Sequence, residues 1–290
     1  GKSGGFSQEE STMNVRTDLA LEAKTLWEQS AGQTTRLSGV RARERERAGF
    51  PVTEVEILDK QGEAALKKPV GRYITVELKS VDRDAHRAAQ AVAQELQELL
   101  HLKDKTRVLV VGLGNEAVTP DALGPKTVAG LFLTRHLIEH LPEHFGSLRS
   151  VSAVAPGVLA TTGVETLELV RGACAHVKPE CVLCIDALAA GSPDRLCNTI
   201  QMSSTGIVPG SGVGNRRAAF DKKTLGVPVY SLGVPTVTDA ASGARMIVTP
   251  RDIDAQIRFL SAVLAGAINR TLHPNLTAED FAQFVPFSCV

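Results

Sequence analysis

This chain lacks an excess charge of either sign. Its 290 residues carry 32 basic and 32 acidic side chains. A net charge of zero gives no electrostatic footing for nucleic acid or for an anionic membrane surface. Long apolar runs are missing as well. None approaches the roughly 18 residues of a membrane span, and no signal-peptide pattern opens the chain. Cysteine is scarce and odd in number, at five residues, which argues against a disulfide scaffold. Internal repeats and low-complexity linkers are absent. An intracellular protein is expected. Its 43% hydrophobic content is enough for a large core, in one large domain or two small ones.

Cys181 and Cys184 form a C-x-x-C within CVLCIDAL. In a buried strand, residues three apart point to opposite faces. The pair therefore reads as packed, reduced thiols rather than a redox or zinc pair.

Residues 1 to about 35 are polar and mixed, with one apolar island, NVRTDLALEA. Little hydrophobic burial is expected to hold that segment to the core, with Val15, Leu19 and Leu21 docking weakly. RARERERAGF reads as a solvated charged surface. VTEVEIL and GRYITVELKS alternate like half-solvated strands, predicting a small antiparallel sheet near residues 50–80. Asp84 to His101 has the spacing of a helix with Ala88, Val92, Leu96 and Leu99 or Leu100 on one face.

The pattern then changes to short apolar strands alternating with helices. RVLVVG, SVSAVAP, CVLCIDAL, VPVYSLGV and ARMIVTP read as strands. Helices are expected over Thr119 to about His140 and over TTGVETLELVRGACAHV, the latter capped by Thr162. A last long helix starts at Pro250, with Ile253, Ile257, Leu260, Leu264 and Ile268 inward. A short one begins at Thr277, with Asp280 placed for a capping box. The fold class this implies is α/β: a twisted, mostly parallel sheet covered by helices on both faces, plus the small antiparallel sheet.

VVGLGNEAVTPDALGP carries the first candidate site. Gly112, Gly114 and Ala117 after a strand fit a loose dinucleotide fingerprint. The acid that such a site wants about 20 residues on is missing, because LFLTRHLIEH is still read as helix. Thr119 and Pro120 look like an N-cap and first helical residue, which puts Asp121 in the first turn. A carboxylate there suits the helix dipole and would repel a pyrophosphate. By itself it could be no more than a helix-capping acid.

The second acid, Asp186, closes CVLCIDAL at the carboxyl end of a buried strand, where ligands bind in open parallel sheets. If the strands before Asp121 and before Asp186 are neighbours, both carboxylates converge on one cleft. Two close acids share a proton, an arrangement that activates water and protonates a leaving amine. It could also hold a divalent metal.

Three further motifs compete. HLIEH matches an inverted zinc-protease motif and puts His136 and His140 one turn apart. It lies far from the strand tips, beside a third histidine, His144, and no third ligand announces itself. PGSGVGNRR could be an anion nest, a substrate ledge or a surface loop, and Ser211 does not fit a nucleophile elbow. GVPTVTDAA brings Thr236, Thr238 and Asp239 after another strand, either at the same cleft or as a turn with a helix cap.

NVRTDLALEA, KKPVGRYITVEL, VVGLGNEAVTPDALGP, CIDALAAGS, STGIVPGSGVGNRR and LGVPTVTDA together resemble the germination proteases of spore-forming bacteria. The resemblance runs from residue 14 to about 240 and continues through TPRDIDAQIRFLSAVLAGAIN. It implies an endopeptidase that degrades small acid-soluble spore proteins at germination, in the cytoplasm of the forespore and spore core. It implies an inactive homotetrameric zymogen that matures by losing a short N-terminal piece, here within residues 1–35, ahead of one peptidase domain over 36–290. It also implies a fold similar to the hydrogenase maturation endopeptidases. There, acids at the matching loop and strand end bind nickel with a histidine. Asp121 and Asp186 occupy those two positions, but no histidine lies between His176 and His273. That departure favours a two-aspartate mechanism with no cofactor. The alternatives are a metal-dependent peptidase at the same acids, a nucleotide-dependent oxidoreductase, and a non-catalytic binding protein.

Overall fold

The computed structural model describes residue 20 and residues 38–78, 83–209, 218–239 and 247–284. Within these, nine strands form a single sheet in the order β1-β2-β3-β7-β8-β6-β4-β5, with the two-residue β9 (Ile247–Val248) added beside β8. Four of them, β5 (Val151–Val154), β4 (Val108–Gly112), β6 (Cys181–Ala190) and β8 (Val229–Asp239), run parallel. Of these, β4 and the first five residues of β6 are unbroken apolar runs, fully buried between helices on the two faces. Besides the short α1 (Lys60–Leu66) and α8 (Lys222–Leu225), the long helices divide between the two faces: on one lie α2 (Ala85–Leu100) and α9 (Ile253–Leu272), packed on Val108, Val110, Leu183 and Ile185. On the other lies α7 (Thr166–Val177), whose Val170 packs on Leu109, Val111, Val182 and Cys184. The expected α/β class is the one observed. Cys181 and Cys184 fall in different clusters, one on each face of the sheet, as unpaired thiols.

The expected antiparallel strands form, but they extend the main sheet rather than stand apart from it. β1 (Val40–Arg47), β2 (Phe50–Ile57) and β3 (Gly71–Glu77) pair in succession, and β3 pairs β7 (Thr199–Ser203), which pairs β8. β2 is almost wholly buried, not half-solvated. Its Phe50 and Val52 pack in the cluster that includes α2. Its Val55 and Ile57 pack with Ala20, Leu66 and Tyr73 on the opposite face. Ala20, the one described residue of the N-terminal island, is 2% exposed. The rest of that island lies outside the described residues.

RARERERAGF is solvated on one side only: Arg41, Arg43, Glu44 and Glu46 are exposed, while Arg45 and Arg47 are half-buried. It forms β1 and the turn into β2, with positive φ at Ala48 and Gly49, the conformation of a tight two-residue hairpin. Arg45 and Arg47 reach Glu95 of α2, a fully buried carboxylate. Arg45 Nε donates to Glu95 at 2.8 Å and Arg47 Nε at 2.7 Å. Arg45 also donates to buried Glu54 at 2.6 Å, and Arg72 completes the group with a 2.6 Å bond to Glu54. Each buried charge is paired and hydrogen-bonded, the condition for keeping it ionised away from water.

The single helix expected from Thr119 to His140 is broken. A 3-10 turn spans Thr119–Asp121, followed by α3 (Leu123–Ala129), α4 (Arg135–His140) and α5 (Pro142–Phe145). Its break is stabilised from outside. The buried Asn269 side chain of α9 donates to Gly130 O at 3.0 Å and accepts from Phe132 N at 2.9 Å. These bonds satisfy backbone groups that a continuous helix would have paired itself. Thr162 closes a short helix, α6 (Leu159–Thr162), instead of capping α7, whose N-cap is Glu165. Three local expectations hold. Asp84 caps α2, the five named residues of α9 face inward, and Thr277 and Asp280 bond reciprocally before α10 (Ala278–Phe284).

Candidate active site

The glycines of VVGLGNEAVTPDALGP shape a backbone crossing. β4 ends at Gly112, and α3 returns so close that a Cβ on Gly112 would stand 2.5 Å from Gly124 O. A Cβ on Gly124 would stand 2.2 Å from Leu113 O. Gly114 has φ of +116°, and a Cβ there would stand 2.0 Å from Asp121 O. At these three glycines the chain packs against itself and leaves no room for a side chain. What the turn presents is Asp121, in the 3-10 turn before α3.

Four bonds that involve a side chain fix that turn. Asn115 N donates to Asp121 Oδ2 at 2.7 Å, and Asn115 Oδ1 accepts from Ala117 N at 3.0 Å. Thr119, at the first position of the 3-10 turn rather than its N-cap, donates to Asp254 of α9 at 3.1 Å. Thr236 of β8 donates to Pro120 O at 2.7 Å. Sequence reasoning put Thr236 near the cleft but missed these tethers. The only local signal was Asn115 after Gly114, a residue type that bonds its own backbone two residues on.

Asp186 arrives from the neighbouring strand. β4 and β6 pair in parallel, Gly112 beside Ile185, and Leu113 N donates to Ile185 O at 2.8 Å. That puts Asp186 one residue beyond the end of β4. It is buried, at 7% exposure. Burial first, and then the charge of Asp121, push its carboxyl up to about 8, with the Ala187 N–H opposing. Asp121 is half-buried, and burial raises it above the usual carboxylate range while the Asn115 N–H opposes. The acids are thus close enough to couple, and their environments differ. At neutral pH this favours one proton on Asp186 and a charge on Asp121.

The rival sites lie elsewhere. His136 and His140 are exposed on α4, and Glu139 between them pairs with Arg135 at 3.0 Å. His273 is buried at the far end of α9, Nε2 3.2 Å from Phe132 O, its ring pushed down to about 4 chiefly by burial. Asp254, in the first turn of this 20-residue helix, touches the Asp121 turn. At 1.5 Å per residue His273 is therefore about 30 Å away. Among the described residues no three His, Cys, Asp or Glu gather where a metal could sit. Asp121 and Asp186 alone supply fewer protein donors than zinc or nickel sites take, so this donor set does not fit either of those ions. Thr238 is buried and donates to Ala190 O at 2.9 Å, and Asp239 is exposed at the end of β8. Most of PGSGVGNRR, Ser211 included, and the last residues of GVPTVTDAA lie outside the described residues. Among the described residues no helix is long and apolar enough to cross a membrane.

Residues 20–245 match the family model described as germination protease. A germination protease of Caldanaerobacter subterraneus is 41% identical, over 94% of this chain and 98% of its own length. That of Clostridium tetani is 38% identical over 94% and 100%. That of Priestia megaterium is 44% identical over 80% of this chain and 65% of its own. Among solved structures, a NiFe hydrogenase maturation protease HycI from Thermococcus kodakarensis aligns at 18% identity. It covers 60% of this chain and 98% of its own, with a TM-score of 0.36. By the family match and the length and identity of its relatives, the chain belongs to the germination proteases, endopeptidases of spore germination.

Proposed function

We propose that this endopeptidase hydrolyses small acid-soluble spore proteins by the paired action of Asp121 and Asp186. The observation that carries the reading is the asymmetry of the pair. Asp121 is half-exposed, takes an N–H bond, and suits the ionised form. Asp186 is buried, opposed by its neighbour's charge, and suits the neutral form. Asp121 takes a proton from a water molecule as its oxygen bonds to the peptide carbonyl carbon. Asp186 gives its proton to the substrate, and the C–N bond breaks as the amine leaves protonated. The proton gained by Asp121 then restores Asp186, so the pair ends as it began.

Incubation with a purified small acid-soluble spore protein, with and without a chelator, tests this. Equal cleavage in both supports it. Cleavage abolished by the chelator and restored by a divalent metal contradicts it. From the family membership we also infer a homotetramer, made as a self-processing zymogen, in the forespore and spore core. A monomeric mass by light scattering at micromolar concentration would contradict the tetramer.

A further inference from the structure

The ladder between β6 and β8 is regular from Val182/Val229 to Leu188/Pro235, then skips a residue. Ala189 pairs with Val237. Thr236 is therefore the extra residue of a β-bulge. Pro235, which has no N–H to give a ladder, stands beside it, where a strand tolerates proline. A bulge bends its strand and re-aims a side chain. Here Thr236 is fully buried, and its hydroxyl donates to the carbonyl of Pro120 at 2.7 Å. Its own carbonyl accepts from Thr249 Oγ1 at 2.7 Å. Pro120 is the residue before Asp121. Three residues back along β8, Gly233 pairs with Asp186. One strand thus touches the turn that bears one acid and flanks the strand that bears the other.

We propose that Thr236 is a positioning residue, and that its bulged hydroxyl sets where Asp121 stands relative to Asp186. This rests on the reading of those two acids as the catalytic pair. The Asn115, Gly114 and Thr119 contacts shape the turn within itself and against α9. The bond from Thr236 ties it to the sheet that carries Asp186. Losing it leaves the Pro120 carbonyl without its partner and lets the turn shift. A displacement on the order of 1 Å at a reacting group costs up to about a hundredfold in rate.

The test uses Thr236→Val, which keeps the shape and removes the hydroxyl, and Thr236→Ser, which keeps the hydroxyl. With a small acid-soluble spore protein as substrate, Thr236→Val lowers kcat by about ten- to a hundredfold. KM stays within about twofold, because substrate binding is untouched. Thr236→Ser recovers most of that loss. Combined with Asp121→Asn, Thr236→Val adds nothing further, since it acts through Asp121. A loss of melting temperature with kcat per folded enzyme unchanged overturns the proposal, and so does an additive loss in the double variant. If Asp121→Asn alone cleaves normally, the aspartate-pair reading fails instead, and that outcome is separate. Should Thr236→Val not fold, Thr236→Ser and Thr236→Ala carry the same comparison. Equal kcat for Ser and Ala then overturns it.

Discussion

Replacing Asp186 by asparagine should make the protein more stable, and increasingly so as the pH rises. The carboxyl is pushed from 3.8 to about 8, first by burial and then by the charge of Asp121. Its pKa is therefore higher folded than unfolded, and the folded state holds a proton that the unfolded state releases. For a carboxyl shifted upward, the neutral side chain carries no penalty below about pH 4. The cost then grows as pH climbs and levels off above about 8. At about 1.4 kcal/mol per unit, four units give about 5 kcal/mol as a ceiling, because the site relaxes around a buried charge. Asparagine cannot ionise, so it escapes that cost. Denaturant unfolding of wild type and Asp186→Asn at several pH values measures the difference. We expect Asp186→Asn to gain about 2–4 kcal/mol on wild type between pH 5 and pH 8, read from the midpoints at equal slope. A difference that stays flat across that range would refute the reasoning, because it would mean that Asp186 ionises normally.

The same two groups set the pH profile of kcat. Activity should fall below neutrality as Asp121 gains a proton and fall again above about pH 8 as Asp186 loses its own. A profile still rising at pH 9 contradicts the assignment of acid and base. At the other end of the sheet, Glu95→Leu removes the buried carboxylate that Arg45 and Arg47 share, leaving them only Glu54 and Glu98, and should cost about 3 kcal/mol of stability. A loss below about 1 kcal/mol would return β1 to an ordinary charged surface. Finally, self-digestion is expected to remove a piece ending between about residues 16 and 23, with activity rising in step. Asp186→Asn should stay full length, as N-terminal sequencing would show. Equal trimming of that variant without other proteases sinks self-processing.

The parallel half of the sheet was legible because burial on both faces leaves an unbroken apolar run, as in CVLCIDAL. The two acids were legible because each follows such a run. What escaped detection depends on partners distant in sequence. Nothing within RARERERAGF shows that Glu95, about 50 residues on, awaits its arginines inside the core. Nothing in LFLT shows that Asn269 will replace the helix's own bonds there. The periodicity therefore ran on through a real break. The bulge at Thr236 left only one trace, a proline inside a strand. The choice of proton holder was closed to sequence reasoning, because it depends on how deeply each carboxyl is buried.

The central claim is that two aspartates, and no other group, activate water. Cleavage of a small acid-soluble spore protein by folded Asp121→Asn and Asp186→Asn tests it most directly. An amide can neither accept the water's proton nor supply the one that the leaving amine needs. Each variant should lose at least about two orders of magnitude in kcat while unfolding cooperatively. Turnover within a few-fold of wild type in either folded variant would contradict the account.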